Sequence, residues 1–396
     1  MSEMHFWPEV GRSINDIKYP EFVLKIEWTK NLFEDYKFLS ENYAECGYSL
    51  LLEIVKDLDD NEKCDHWFLS AIYLMRQSIE LGLKALYCRA ETSKPKIQKV
   101  FLECKHDLSL LYKIYLSKGE NYLTTEEQDW LCRYLESLES VDENSDMFRF
   151  PFDDEFLAKY QNKFLDIYAT GDNILQAFNL VKKCFNCGVV GVDAEFDNSF
   201  APHFLIFASH GIGNCYLWKS VMDEGFYAKV NGYMESADFI FYRCNGLALD
   251  IKVYPLLFLV RNALELCLKR LFYEQVHHGV SLQAFNSKRK SHLIKKDLWK
   301  NVKPMLLHYA EETASDVSLL NIVENSIEEI SGLDKNGDNF RYPTKYSLDY
   351  ILHGREIDVK NVFEIMRSVV SFLDSCDTML EAISDYESAR DSYYEY

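Results

Sequence analysis

The stretch from Leu256 to Tyr273 constrains the fold more than any other part of the sequence. It reads LLFLVRNALELCLKRLFY, and its charged positions Arg261, Glu265 and Lys269 lie four residues apart. Residues at that spacing share one face of an α-helix, and the remaining faces here are mostly apolar. A helix that is apolar nearly all round is typical of a protein interior, where charges must be paired or used. The stretch therefore predicts a buried helix with one charged stripe.

The same pattern occurs earlier in the chain. Residues 71–87 read AIYLMRQSIELGLKALY, so Arg76, Glu80 and Lys84 repeat the charged stripe. Each of the three lies 185 positions before its counterpart, as 76 does before 261. We therefore interpret the chain as two copies of one unit, each built around a central helix.

Further residues repeat at nearly the same spacing. His106 recurs as His292, and the segment Phe-Arg-Phe-Pro at 148–151 recurs as Phe-Arg-Tyr-Pro at 340–343. Trp28 and Tyr43 also recur, as Trp218 and Tyr233. The spacings differ by only a few residues, which loop insertions explain. The sequence predicts an all-α fold of two duplicated helical bundles in tandem, residues 1–187 and 204–396, joined by a linker at 188–203.

Composition agrees with this interpretation. A chain of 396 residues is long enough for two or three domains, and 16 Gly and 8 Pro are few helix breakers for that length. In the first unit, the apolar periodicity predicts a helix from about 19 to 55, then the central helix, which ends near 89, and a last helix from about 171 to 186. In the second unit it predicts helices over about 204–246, 254–275 and 358–388. Thr124 followed by Glu127 is typical of a helix start.

The charge and cysteine content restrict location and partners. The formal net charge is −20, which disfavours general nucleic-acid binding, so any anion site has to be local. The eleven cysteines are scattered through apolar helical pattern and predict reduced thiols in a cytoplasmic protein. The N-terminus lacks a signal-peptide pattern, and the apolar runs are too short to predict a membrane span.

The repeated polar residues are the candidate functional site. The hypothesis of a catalytic site assigns proton transfer to the histidines, with the arginines and glutamates of the central helices holding phosphate and orienting groups. It assigns phosphate binding to the remaining cations. The alternative is a buried ion-pair network that fixes helix packing, and the sequence leaves both open. The proposed catalytic residues are His106, His292, Arg76, Arg261, Glu80 and Glu265, and the proposed phosphate-binding residues are Lys84, Lys269, Arg149 and Arg341.

Several specific sites are disfavoured. The chain contains no phosphate-binding loop, nucleophile elbow or paired zinc motif, so we expect no cofactor and no metal. Asp-x-Asn-x-Asp runs at 142–146 and 334–338 resemble the opening of a calcium loop. Met147 and Asn339 stand where such a loop requires glycine, so these runs predict turns instead.

Three motifs together suggest a family. They are the Arg-x3-Glu-x2-Leu-Lys helix, the His-Asp-Leu or Ser-His-Leu that precedes the next helix, and the late Phe-Arg-(Phe/Tyr)-Pro. On these residues each unit resembles a HEPN domain, a helical bundle common in bacterial defence and toxin systems. Many HEPN domains pair across a cleft and act as metal-independent endoribonucleases with an Arg-x4-6-His motif. Neither central helix carries that motif, so the resemblance implies a histidine from the neighbouring helix, His106 or His292.

The resemblance implies two functions of different classes. One is a metal-independent endoribonuclease, or a protein that binds the phosphates of RNA or a nucleotide. The alternative is a non-catalytic sensor or scaffold subunit that acts through protein contacts. We expect RNA or a nucleotide, a protein partner in a defence complex, or a second copy of the chain as binding partners, and no membrane.

Overall fold

The chain is predominantly α-helical. A computed structural model describes residues 7–119, 122–185, 195–219, 224–277, 281–288, 290–313 and 316–394. Helices account for 65% of the residues and strands for 4%. The predicted all-α class is therefore confirmed, whereas the duplication and the division of the chain at 187 and 204 stay predictions. Below, "first half" means residues before 188 and "second half" means residues from 204.

The helices follow one another with short connections. In the first half they are α1 (Leu32–Ile54), α2 (Phe68–Ala90), α3 (Lys94–Cys104), α4 (Leu108–Leu116), α5 (Thr125–Glu139), α6 (Asp154–Tyr160) and α7 (Ile167–Phe185). In the second half they are α8 (Phe226–Asp238), α9 (Leu249–His277), α10 (Leu282–Lys288), α11 (Lys300–Glu312), α12 (Ser318–Leu333) and α13 (Val359–Tyr394). Short π-helical turns at Lys63–Trp67, Phe239–Arg243 and Ile294–Trp299 precede α2, follow α8 and precede α11.

The two central helices, α2 and α9, lie in the middle of the core. Every residue from Phe68 to Cys88 is buried, as is every residue from Lys252 to Phe272. Helix α2 packs against α1, α4 and α7, while α9 packs against α8, α11 and α13. One hydrophobic core contains apolar residues of both halves. The prediction of two buried, charged-stripe helices is confirmed, because an apolar surface on every side requires neighbours on every side.

Short strands connect the two halves. Strand β1 (Val23–Lys25) pairs antiparallel with β5 (Glu356–Asp358), with Leu24 opposite Ile357. Strand β2 (Lys163–Leu165) pairs antiparallel with β3 (Phe207–Ala208) and β4 (Cys215–Leu217). Each pairing joins a strand of the first half to a strand of the second. The segment that precedes α1 is therefore paired with the segment that precedes α13, and the segment that precedes α7 is paired with the segments that precede α8.

Two loops also cross between the halves. We call residues 148–151 the first crossing segment and residues 340–343 the second crossing segment. The Tyr43 hydroxyl on α1 donates to the carbonyl of Phe340 at 3.1 Å. The Tyr233 hydroxyl on α8 donates to the carbonyl of Phe148, also at 3.1 Å. Each crossing segment thus lies against the bundle of the other half.

Several predicted boundaries were wrong. The first helix begins at Leu32 instead of about 19, since Asn31 caps it by accepting from the amides of Phe33 and Glu34. The segment before it forms a 3-10 turn and β1. The described residues 204–219 and 224–225 also lack an α-helix and hold β3 and β4, so the helix predicted from 204 begins at Phe226. Both errors have one cause, because short strands whose partners lie far away in sequence have no local periodic signal.

Other predictions on chain organisation have mixed outcomes. The helix start at Thr124 is confirmed, because Thr124 and Glu127 each bond the other's backbone amide in a capping box. Residues 195–203 of the predicted linker contain no helix, while its residues 188–194 lie outside the described part. Among the described residues, none of the helices combines the length and apolar content that crossing a bilayer requires.

Candidate functional site

The charged stripe of α2 forms a bonded cluster with the histidine that precedes α4. We call Arg76, Glu80, Lys84 and His106 the His106 cluster. Glu80 accepts from Lys84 Nζ at 2.7 Å and from Arg76 Nη1, and its carboxylate lies 3.2 Å from His106 Nδ1. Arg76 Nη2 also donates to the carbonyl of His106 at 3.1 Å. The four residues therefore hold the start of α4 against α2.

The stripe of α9 forms a matching cluster. We call Arg261, Glu265, Lys269 and His292 the His292 cluster. Glu265 accepts from Lys269 Nζ at 2.7 Å and from Arg261 Nη1 at 3.1 Å, and lies 2.8 Å from His292 Nδ1. Arg261 Nη2 donates to the carbonyl of His292 at 2.9 Å. The sequence predicted that each stripe and its histidine meet, and the described contacts show it.

The glutamates are ionised in spite of their burial. Burial opposes ionisation of Glu80, but attraction to Lys84, His106 and Arg76 outweighs it and holds the pKa of Glu80 well below its ordinary value. The pKa of Glu265 is likewise well below its ordinary value, for the same reasons. Burial lowers the pKa of His106, and the attraction of Glu80 only partly offsets this. Each cluster is therefore an anion surrounded by donors.

Each glutamate determines which ring nitrogen of its histidine faces the protein and which remains free. An ionised carboxylate only accepts hydrogen bonds, so in each neutral histidine the proton must be on Nδ1. The other ring nitrogen, Nε2, then carries a free lone pair. Neither His106 nor His292 has a partner for Nε2 among the described residues. The side chains of His106 and His292 are 22% and 37% exposed, so the free nitrogen of each can meet a ligand.

The crossing segments complete both clusters with aromatic side chains. Tyr342 of the second crossing segment donates its hydroxyl to Glu80 at 2.6 Å, and its ring lies 4.4 Å from Lys84 Nζ. Phe150 of the first crossing segment contacts Lys269, whose Nζ lies 4.2 Å from the ring centre. The centre of the His292 ring lies 5.7 Å from that of Phe150. Each cluster is therefore built from both halves.

Both clusters border one cleft. Its volume is about 1450 Å³, and both histidines, both crossing segments and Lys269 contribute to its wall. The described lining includes seven lysines and arginines against eight carboxylates. The described lining is therefore close to neutral, in a protein whose formal net charge is −20. The basic lining residues are Arg149, Lys159, Lys219, Lys269, Lys290, Arg341 and Lys345.

The predicted site residues fall into two groups. His106, His292, Lys269, Arg149 and Arg341 line the cleft. The other five are at most 3% exposed and lie behind it, joined in ion pairs. The second group forms buried ion pairs along the central helices, as the ion-pair alternative predicts, and its arginines and glutamates also bond the histidines. That group is Arg76, Glu80, Lys84, Arg261 and Glu265.

Three further residues belong to the site but were not predicted. Tyr342 was noted only as part of a repeated segment, although its hydroxyl reaches Glu80. Asp142 accepts from Arg76 Nε at 3.1 Å and from the amides of Asp146 and Met147. Gln77 donates to the carbonyl of Arg341 at 3.2 Å. A signal existed for Asp142, because it opens the Asp-x-Asn-x-Asp run, whereas Gln77 has no distinguishing local pattern.

The Asp-x-Asn-x-Asp runs form turns. Asp142 and Asp334 each accept backbone amide bonds from residues three to five positions later in the chain. The other oxygen of Asp142 accepts from Arg76, whereas the other oxygen of Asp334 has no partner among the described residues. Throughout the described ranges, no group of three or more His, Cys, Asp or Glu side chains is placed to hold a metal ion.

Comparison of the chain with models of protein families, with curated proteins and with solved structures finds no match. The resemblance to HEPN domains therefore rests on the motifs of the chain alone. The functional argument has to come from the geometry of the two clusters.

Proposed function

We propose that this protein is a metal-independent endoribonuclease of the HEPN-like defence type. The observation that carries the proposal is that two Glu–His pairs border one cleft, and that the glutamate of each pair is ionised. The pairs are Glu80–His106 and Glu265–His292. A carboxylate that orients a histidine is a common device of acid–base catalysis. Two such pairs supply the base and the acid that cleavage of RNA requires.

The chemistry that we propose uses the RNA's own hydroxyl group. One histidine Nε2 accepts the proton of a 2′-hydroxyl, and the 2′-oxygen forms a bond to the adjacent phosphorus. The bond from phosphorus to the 5′-oxygen breaks, and the other histidine, in its protonated form, donates a proton to that oxygen. The products are a 2′,3′-cyclic phosphate and a free 5′-hydroxyl. Lys269 and Arg149 would stabilise the negative charge on the phosphate.

The cleft favours phosphate over other groups for an electrostatic reason. Phosphate attraction supplies most of the affinity of proteins for nucleic acids, and it falls off within about 10 Å in physiological salt. A strongly acidic protein therefore needs its cations concentrated where the ligand binds. In the cleft, Arg149, Lys269 and His292 meet at the ring of Phe150 and provide such a local group of donors.

We also place the protein in the cytoplasm. The ten cysteines that the structure describes are all free, and eight of them are buried. Free buried thiols are typical of proteins from reducing compartments.

A second candidate function is a non-catalytic sensor or scaffold subunit. The observation that favours it is the internal pairing of the clusters, since Glu80 receives four side-chain partners and Arg76 donates to three acceptors. Such a network stabilises the contact between the halves without any reaction. A protein partner in a defence complex or a second copy of the chain would then be the natural ligand.

Cleavage of RNA in EDTA separates the two candidates. We expect the purified protein to cleave a mixed RNA pool in EDTA and to leave 2′,3′-cyclic phosphate ends. Replacing His106 and His292 together by alanine should abolish this activity. A matched control is His308→Ala, because His308 is an exposed histidine on α11 that lies away from the cleft. Equal cleavage by the double variant and the wild-type protein would remove the histidines from the mechanism, whereas no cleavage by the wild-type protein would favour the sensor or scaffold.

A further inference from the structure

The two crossing segments place their arginines in different surroundings. Arg341, on the second crossing segment, is 2% exposed, and both of its Nη atoms have acceptors, while its Nε is buried without one. It donates to Gln77 Oε1 at 3.3 Å, to Ser145 Oγ at 3.2 Å and to Asp338 Oδ1 at 3.3 Å. Both Nη atoms of Arg341 are therefore already bonded to acceptors of the protein itself.

Arg149, the counterpart on the first crossing segment, has no such acceptors. It is 5% exposed and borders the cleft. Its guanidinium donates to no acceptor among the described residues, and its Nε is fully buried. Its described neighbours are the rings of Phe150 and Phe258, whose centres lie 5.0 and 5.8 Å from Cζ. A buried guanidinium without an acceptor is unfavourable, because it loses water and gains nothing in return.

Two sequence differences account for two of the three missing bonds, and the third acceptor, Asp338, corresponds to Asp146, to which Arg149 makes no hydrogen bond. Ser145, which accepts from Arg341, corresponds to Gly337, which has no side chain to accept from Arg149. Gln77 corresponds to Asn262, which is one methylene shorter, and Asn262 Oδ1 has no partner either. Arg149 therefore lacks counterparts of the serine and glutamine acceptors that Arg341 has.

The gap left by the missing serine lies beside Arg149. A Cβ atom added to Gly337 would lie 3.7 Å from Arg149 Nη2 and 3.8 Å from Glu265 Oε2. The hydroxyl of a serine at this position would thus be within reach of the guanidinium. In the natural sequence no hydroxyl is present there, so Arg149 is left to face the cleft that it lines, where an acceptor from outside the protein can reach it.

Other groups of the His292 cluster favour an anion in this space. Lys269 and His292 contact the ring of Phe150, which also contacts Arg149. The ring therefore gathers two cations and a histidine on the wall of the cleft. A guanidinium fork matches the oxygens of a phosphate group in both geometry and charge.

We infer that Arg149 binds one phosphate group of the ligand, and that the two clusters are not equivalent. The side of the cleft at the His292 cluster holds the phosphate, while on the other side Arg341 is already bonded to Ser145 and Gln77. This inference rests on the proposed function in taking the same cleft and ligand class, but it concerns binding and does not require cleavage.

Binding to uncleavable probes tests the inference. We would titrate the full-length protein with inorganic phosphate, with adenosine monophosphate and with a 2′-O-methyl RNA oligonucleotide, using calorimetry or fluorescence anisotropy. The three probes distinguish a free phosphate, a nucleotide and RNA as the source of the group. Because 2′-O-methyl RNA lacks the attacking hydroxyl, binding is measured whether or not the protein is a nuclease.

We expect Arg149→Met to weaken binding of the preferred probe about tenfold or more, as for loss of a charge-assisted hydrogen bond. The control is Arg133→Met, which removes an equal charge from an exposed site on α5 outside the cleft. Arg133→Met should leave the affinity unchanged. Equal binding by wild type and Arg149→Met, or binding of no probe by the wild-type protein, would overturn the inference.

A second pair of variants keeps the charge of Arg149 and changes only its surroundings. Gly337→Ser supplies the acceptor that Arg341 already has, and we expect it to weaken binding severalfold relative to Gly337→Ala. Both variants carry the same strain at φ 79°, and Ser145 itself adopts φ 58°, so the fold tolerates serine in this conformation. Equal affinities for the two variants would contradict the role of the missing hydroxyl.

The binding and cleavage experiments can refute the two proposals independently. Probe binding that depends on Arg149, without cleavage of RNA, would refute the nuclease proposal alone. Cleavage that depends on the histidines, with binding unaffected by Arg149, would refute this inference alone.

Discussion

Replacing Tyr342 by phenylalanine removes one hydroxyl from the His106 cluster and leaves the ring in place. The hydroxyl donates to Glu80 Oε1 at 2.6 Å, and Glu80 is fully buried. Burial holds the pKa of Tyr342 well above its ordinary value, so the hydroxyl keeps its proton and remains a donor. The ring contact with Lys84 does not depend on the hydroxyl. The substitution therefore tests one hydrogen bond to one buried anion.

The expected loss of stability follows from the partners that remain. A hydrogen bond to a charged group contributes about 1.5–3 kcal/mol to the free energy of unfolding. Glu80 keeps Arg76, Lys84 and His106 as partners after the substitution, so it is not left unsatisfied. We therefore expect a loss at the low end of that range, about 1.5 kcal/mol.

Urea denaturation at pH 7, followed by circular dichroism, measures this loss. The matched control is Phe150→Tyr, which adds a hydroxyl at the corresponding position of the other crossing segment. Because it removes no existing bond, we expect Phe150→Tyr to be neutral or slightly stabilising. The reasoning is refuted if Tyr342→Phe is as stable as the wild-type protein, or if the two variants lose the same stability.

Three further predictions concern stability. Burial lowers the folded-state pKa of His106, so the contribution of His106 to the free energy of unfolding is present above about pH 6.5 and declines as the pH falls below that value. The difference in unfolding free energy between wild type and His106→Ala should therefore narrow between pH 7 and 5. Tyr43→Phe removes the bond to the second crossing segment and should cost about 1 kcal/mol in urea denaturation; no measurable loss would contradict the crossing. Gly232→Ala would place a Cβ 2.5 Å from the carbonyl oxygen of His66 and should cost about 1–3 kcal/mol, whereas Gly332→Ala, with no atom within 4 Å, should cost nothing in the same assay.

The helices around the site could be predicted to within a few residues. Central helices expected at 71–87 and 256–273 are observed as parts of Phe68–Ala90 and Leu249–His277. Their periodicity is strong because each helix is buried on nearly every side, so nearly every position is constrained. The ion pairs Arg76–Glu80 and Glu80–Lys84 also follow from sequence alone, because residues four apart meet on any helix.

Contacts between distant segments could not be predicted. The repeated Phe-Arg-(Phe/Tyr)-Pro segments were visible in the sequence, but nothing local shows that each lies against the other half's helix. Tyr342 and Glu80 are 262 positions apart, and the strands β1 and β5 are separated even further. Such pairings depend on how whole bundles pack, which leaves no periodic signal in a short window.

The difference between the two clusters illustrates the same limit. Ser145 and Gly337 are plainly different in the sequence, and both lie in runs expected to form turns. Only the folded chain brings Ser145 to Arg341 and leaves Arg149 facing the space beside Gly337. The sequence gives the identity of a side chain, but its hydrogen-bond partner depends on which residues the fold brings next to it.

The sequence by itself thus determined the helical class, the two buried charged helices and the residues that pair along them. The tertiary structure decided which half completes each cluster, that both histidines share one cleft, and which arginine lacks an acceptor. The physical reason is range, because hydrogen bonds and ion pairs along a helix join residues within one turn, whereas a cleft is formed by segments that only packing brings together.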